Sequence, residues 1–353
     1  MISNNFIDKM NFCFLVGSSR SGTTVLTKIL NCNSKIVAPT AEQLFLTSYI
    51  NHFSDRKSFS EKEIKIIINN LWNLLTINKY IWNINEPKLY QNLSANQNNL
   101  TFNQLILHIF YSYNNISDSK NNISCFIDKN PHYIYELIKL NNAFKHSKFI
   151  FITRDYRGRF NSIKKVKKYF VKAIGISWFI QQNKILEFIK QHPNKSILIK
   201  YEDLVTAPKQ TIEKICDFLE LEYEDKMLKH YEFSYIDYTK LKINKKTIDS
   251  QLKWHGNSNK PIDSSIKEKW KKELTKEEIK LLDYYCGETG KLFGYEPLFQ
   301  KFSLIDKITI ELLHRPLFIL IYGFPLMKKL FFQLPIKLQR LTIKAAKKIS
   351  GIE

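Results

Sequence analysis

Cysteine is scarce in this chain. Cys13, Cys32, Cys125, Cys216 and Cys286 stand singly, without metal-ligand spacing, and an odd number does not make a disulfide framework. Several lie inside apolar runs, where a cysteine serves as a small core residue. An apolar signal core is also missing, because a glycine-bearing loop begins as early as Gly17; the expectation is a cytoplasmic protein. No apolar run approaches the about 20 residues of a spanning helix. The strongest, Leu317–Met327, is short and carries Gly323 and Pro325. There is no convincing repeat and no stacking-rich or helix-turn-helix signature, so no nucleic-acid partner is expected. Acidic residues are few, 33 against 54 Lys and Arg, for a formal charge of +21. Part of that charge is what a Lys/Asn/Ile-rich composition puts on solvated helix faces; the rest implies an anionic ligand or surface.

What is present is enough apolar and aromatic material for a sizeable core, 44% and 14% of the 353 residues, in one large α/β domain or two small ones. Gly17 to Thr24 reads GSSRSGTT, the frame of a phosphate-binding loop in which Thr23 stands where a nucleoside-triphosphate enzyme carries lysine. An apolar strand-like run, Phe12 to Val16, precedes it, and Thr24 to Leu30 follows with helical spacing. Strand, loop and helix together let backbone N–H groups and a helix N-terminus cradle a phosphate. Without the lysine that reaches the β- and γ-phosphates, the cradle suits a nucleotide lacking a triphosphate tail, with Arg20 supplying charge.

Strands are expected at Ile123–Ile127, Lys148–Thr153 and Ser196–Tyr201. Helices are expected at Glu61–Leu75, Phe102–Tyr113, Tyr133–Ala143, Gly158–Lys168, Ala173–Gln191, Pro208–Leu219 and Lys276–Phe293. Alternation of this kind predicts a phosphate-loop-type parallel sheet flanked by helices. Residues 45–122 read as a helical insertion that shapes a substrate cleft, 242–272 as a polar loop, and 301–353 as a basic amphipathic extension after a main domain of residues 1–300. The extension suits an anionic membrane surface; docking on the protein's own core or on a second subunit is the equal alternative.

Three clusters join the loop, each at an expected strand end, where open α/β sheets bind ligands. Lys129 lies in Phe126-Ile127-Asp128-Lys129-Asn130-Pro131. Arg154 and Ser162 lie in FITRDYRGRFNS, where a guanidinium fork and a hydroxyl suit a terminal phosphate. Arg157 and Arg159 either assist or are solvated, and Asp155 reads as a helix cap. Tyr201 ends LIKY, with Glu202 and Asp203 as turn and capping residues.

With WKKELTKEEI and LFGYEP later in the chain, these motifs occur in the order found in sulfotransferases. From about Phe12 to Pro297 the chain resembles the family that uses 3′-phosphoadenosine 5′-phosphosulfate (PAPS), nearer its carbohydrate and tyrosylprotein branches. The resemblance implies that Ser18, Arg20, Ser21, Gly22, Thr23 and Thr24 hold the 5′-phosphosulfate, that Arg154 and Ser162 hold the 3′-phosphate, and that Tyr201 contacts the nucleotide. It implies that Lys129, helped by Arg20, balances charge at the bridging oxygen without a metal, and that Glu42 is the general base. Glu42 follows Pro39 with Thr40 and Ala41 between, looser than the family's spacing, and needs burial to raise its pKa; His132 is the next candidate. Arg154-Asp155-Tyr156-Arg157 stands where the family has R-D-P-R. The acceptor hydroxyl implied is on a glycan or glycolipid, with peptide tyrosine and a small metabolite also open, and a homodimer is compatible. The competing readings are a phosphate-loop kinase, which lacks its lysine here, and an inactive basic relative binding membrane or nucleic acid.

Overall fold

A computed structural model describes residues 3–75, 82–113, 123–166, 170–233 and 256–350, with isolated positions between 234 and 255. Most of residues 242–255 of the loop expected over 242–272, residues 114–122 of the insertion and the end of the helix expected to reach Lys168 lie outside the described residues; the rest of that loop holds the short helical turns Gly256–Asn259, Ser264–Glu268 and Trp270–Glu273.

Five parallel strands form one sheet in the order β2-β3-β1-β4-β5. They are β1 Asn11–Gly17, β2 Ile36–Val37, β3 Cys125–Lys129, β4 Lys148–Thr153 and β5 Ser196–Lys200. β1 is central and reads as a continuous apolar run because both its faces are covered. Phe12, Phe14 and Val16 point into one layer with Phe126, Phe149 and Phe151. Cys13 and Leu15 point into the other, against the helices Thr23–Asn31 and Pro208–Leu219. The first layer is aromatic: Phe12 lies 5.0 Å from Phe110 and 5.1 Å from Phe144, contacts worth about 0.5–1.5 kcal/mol each beyond area burial.

The register sets the site. Leu15 pairs with Lys129, Gly17 with Ile152 and Thr153 with Lys200. Their successors, Ser18, Asn130, Arg154 and Tyr201, therefore leave the sheet together. Because β3 and β4 flank β1 on opposite sides, connections diverge there and open a crevice.

The helices of residues 45–113 share one core with the sheet. Glu61–Leu75 and Pro208–Leu219 form as expected. Phe45–Phe53 and Glu86–Asn96 are additional helices. The second is started by Asn85, whose side chain accepts from the Lys88 N–H, and by a proline in the first turn. The segment expected as one helix over Tyr133–Ala143 is a 3₁₀ turn, Pro131–Tyr135, then a helix, Leu137–Ala143.

The C-terminal extension is three helices, Leu304–His314, Leu317–Gln333 and Ile336–Ser350. Ser303 and Asp306 cap the first reciprocally. Ile310 and Ile321 pack with Ala173, Ile176 and Leu281, while the Ser48 hydroxyl donates to Gln339 Oε1 at 2.8 Å in a buried contact. One side of the extension is thus docked on the protein. Replacing Ile321 with alanine is expected to cost about 2–4 kcal/mol by cavity formation, read as a lowered urea midpoint; an unchanged midpoint would mean that these helices are not part of the cooperative core.

Candidate active site

Gly17 must be glycine: a Cβ there would lie 2.5 Å from the Ile152 carbonyl oxygen, where β1 runs closest to β4. The loop then turns through left-handed backbone at Arg20 (φ 69°) and Gly22 (φ 98°). Gly22 caps the helix Thr23–Asn31 without a side-chain hydrogen bond, so the first-turn N–H groups face the crevice. The loop is braced from behind. Arg159 donates to the Ser19 carbonyl at 3.0 Å and the Ile174 carbonyl at 2.8 Å. The Ser18 hydroxyl donates to Gln181 Oε1 at 2.6 Å and accepts from Gln182 Nε2 at 3.1 Å. Ser18 therefore offers the crevice its backbone, its hydroxyl being committed to the brace.

Arg20, Gly22, Thr23, Thr24, Arg154, Ser162 and Tyr201 line one cavity. Arg20 Nε donates to Ser162 Oγ at 3.0 Å, and Arg154 Nη1 to the Arg20 carbonyl at 3.2 Å. The Arg154 guanidinium lies 4.3 Å from the centroid of the Tyr201 ring, a cation–π contact, and that ring packs against Gly22. Burial, then the charge of Arg154, holds the Arg20 pKa below its ordinary value. Among the described residues, Ser21 Oγ in the loop and Arg154 Nε at the cavity are buried with no hydrogen-bond partner, orphaned groups of the sort an anionic ligand satisfies.

Arg157 and Arg159 are not solvated; both are buried. Arg157 pairs with Asp155 at 2.8 Å and stacks 4.2 Å from the Trp270 ring centroid. Asp155 accepts the Arg157 N–H as the cap it was expected to be. Glu202 is not the cap it was expected to be: it lies inside the helix Tyr201–Thr206, whose N-cap is Lys200, and accepts from the Asp155 N–H at 3.1 Å and the Tyr295 hydroxyl at 2.8 Å.

At the end of β3, Lys129 Nζ meets Glu42 Oε1 at 3.0 Å, the lysine side chain fully buried and the glutamate 40% exposed. Glu42 is held by its neighbour: Asn130 Nδ2 donates to the Gln43 carbonyl at 2.8 Å, and Gln43 Nε2 donates to Asp128 Oδ2 at 2.6 Å. Those bonds to β3 fix the register that the spacing from Pro39 leaves loose. The burial expected of Glu42 is absent, and a cation stands against it instead. His132 is depressed to about 4 by burial, then by Lys328, with Glu42 opposing.

Several contributors were not found from the sequence. Lys28, lowered to about 8 by burial and then by Lys129, donates to Asn259. Lys260, Asp263 and Ile266 cover the cavity from a segment read as plain loop. Lys328, lowered to about 8 by burial against the opposing effect of Glu42, comes from the helix Leu317–Gln333. Only Lys28 was within reach, one turn beyond Thr24 on the loop's helix. Among the described residues there is no cluster of His, Cys, Asp and Glu suited to a metal ion.

A parallel sheet whose carboxyl edge gathers an anion-binding loop and convergent cations belongs to a group-transfer enzyme. A sequence model of the sulfotransferase family matches residues 13–225, more than half of the chain, and the chain belongs to that family. A putative protein-tyrosine sulfotransferase of Caenorhabditis briggsae is 28% identical over 112 residues, 30% of this chain and 40% of that protein; the match thus spans well under half of the relative. The sulfotransferase domain of the Synechococcus PCC 7002 olefin synthase has the same fold, with a TM-score of 0.50 at 19% identity over 76% of this chain and 90% of its own. The sulfotransferase domain of the curacin biosynthetic pathway follows at 0.48 and 19%, over 80% and 98%.

Asp128 generates a pH prediction. Burial raises its pKa to about 6, against hydrogen bonds from Tyr133 and Gln43. The folded state therefore keeps a proton that the unfolded chain releases near 3.8, and this carboxyl's contribution to stability falls as pH rises from about 4 to about 6. Asp128→Asn keeps an acceptor for both partners and removes the titration. Urea unfolding at pH 4.5 and 7 should show the variant gaining on the parent as pH rises; a pH-independent difference would mean that Asp128 does not titrate in that range.

Proposed function

We propose that this enzyme moves the sulfuryl group of PAPS to an acceptor hydroxyl on a carbohydrate or glycolipid. The observation that carries the donor assignment is the convergence of Arg20, Arg154, Ser162 and Tyr201 on one cavity beside the helix N-terminus, with Thr23 in place of a triphosphate-reaching lysine. The orphaned Ser21 hydroxyl and Arg154 Nε fit a phosphorylated nucleotide.

The donor supplies the sulfuryl group and departs as the 3′,5′-bisphosphate. Arg154 and Ser162, with Arg20 bridging them, would hold the 3′-phosphate. The backbone of Ser18 to Thr24 would hold the 5′ side. Lys129 is buried, and its ammonium would stay fixed as charge develops on the departing oxygen. Glu42, within hydrogen-bond reach of Lys129, would take the acceptor's proton. The proton would move late, as the hydroxyl acidifies on attack. Positioning and fixed charge do this work with no metal in the scheme. Peptide tyrosine is the second acceptor reading, favoured by the relative from Caenorhabditis briggsae.

Calorimetry should show adenosine 3′,5′-bisphosphate binding more tightly than ATP. Arg154→Ala and Ser162→Ala should each cost about 1.5–3 kcal/mol of that affinity. Lys129→Ala and Glu42→Gln should leave affinity nearly intact and slow turnover on the order of 10²-fold or more, measured with labelled PAPS and the acceptor it marks in a cell lysate. A folded protein that prefers ATP would sink the donor assignment, and a Glu42→Gln enzyme of normal turnover would remove Glu42 as base.

A further inference from the structure

The docked extension leaves an apolar face outward. Ile305, Leu312, Ile319, Phe324, Met327 and Leu330 are between 55% and 76% exposed. They recur at helical spacing: Ile319, Met327 and Leu330 lie along one side of Leu317–Gln333, so the face is a stripe and not a scatter. A monomer in water rarely carries so large an apolar patch without a use. The inward side of the same helices is already spent on the protein through Ile310, Ile321 and Gln339. The outward side therefore cannot be the unfinished half of an internal contact.

Charge says what covers it. Lys307, Arg315, Lys329 and Lys337 are exposed around the stripe, while Asp306, the acid of the first turn, is bound to Lys280 at 2.5 Å. A second copy seated symmetrically on this face would set the cationic rim against itself. A lipid surface with anionic headgroups accepts both features at once, apolar side chains below the headgroups and lysines among them. No single helix among the described residues is long and apolar enough to cross a membrane, and the bent pair Leu304–His314 and Leu317–Gln333, which passes on length and composition together, has its inner side docked on the protein through Ile310 and Ile321. We propose that the three C-terminal helices seat this enzyme on an anionic lipid surface through the stripe centred on Leu317–Gln333.

The seat is next to the chemistry. Leu317–Gln333 packs against the helix Phe45–Phe53, which begins just after Glu42, and its Lys328 is felt by both Glu42 and His132. The helix that meets lipid with its outer face thus sets Lys328, on its inner side, within electrostatic reach of Glu42.

The test uses the full chain and two variants in which exposed residues change, Ile319→Glu/Met327→Glu and Lys329→Glu/Lys337→Glu. Co-sedimentation is measured with phosphatidylcholine vesicles with and without phosphatidylserine, at low and high salt, beside a thermal melt, adenosine 3′,5′-bisphosphate affinity and size-exclusion chromatography. The full chain should bind the phosphatidylserine vesicles, more weakly at high salt. Each variant should lose more than about tenfold in vesicle affinity with melt and nucleotide affinity unchanged. No vesicle binding at low salt overturns the proposal. So does binding insensitive to Ile319→Glu/Met327→Glu, which would be attraction by net charge alone. A dimer that this variant splits, without vesicle binding by the parent, assigns the face to a second copy instead.

Discussion

Mutual repulsion among cations at the carboxyl edge of the sheet is the constraint around which the rest of the site is built. Burial, then Arg154, holds the Arg20 pKa down, and burial, then Lys129, that of Lys28, so the folded protein holds like charges close where burial removes the water that would screen them. Backbone and aromatic groups do the holding. The Arg20 carbonyl takes Arg154, Ser162 takes Arg20, the Tyr201 ring lies beneath Arg154, and Trp178 Nε1 donates to the Arg154 carbonyl at 3.0 Å. The phosphorylated donor proposed for this cradle would relieve a repulsion the fold has already accepted.

Much of this edge was legible in the sequence because its residues sit at strand ends, and strand ends announce themselves: an apolar run, then a polar residue. Arg154, Lys129 and Tyr201 were found that way, and the parallel register brings them together. Ser162 was legible from helical spacing. Illegible were residues whose role depends on what packs against them. Arg157 and Arg159 look like surface charge until the helix Val171–Gln191 and Trp270 close over them. That Ser18 has only its backbone to offer is hidden until Gln181 and Gln182 claim its hydroxyl. Lys328 lies far along the chain and reaches Glu42 only through the docking of the extension. The helix Glu86–Asn96 was missed because polar residues surround it, leaving caps as its main signal.

The helical segment after Glu42 proved less separate than an insertion. Its aromatic residues share a core with β1, β3 and β4, and the extension packs on its helices from the far side. Sheet, segment and extension form a stack in which Gln43 is the rivet at one interface, bound to Asp128 and Asn130, and Gln339 at the next, bound to Ser48. Glu42 is the chain neighbour of Gln43, so its position against Lys129 depends on the first of these interfaces.

The five thiols acquire a use from where they lie. All are buried, distributed over β1, β3, the helix C-terminus at Cys32 and the two helices carrying Cys216 and Cys286. Burial pushes Cys125, Cys216 and Cys286 up to about 12, so thiolate is scarce as well as hidden. A thiol reagent can reach them only when the surrounding layer opens. Modification of each cysteine, followed by mass, becomes a clock for the opening of its own layer, with the sheet centre at Cys13 and the last core helix at Cys286 read out separately in a single unmodified protein.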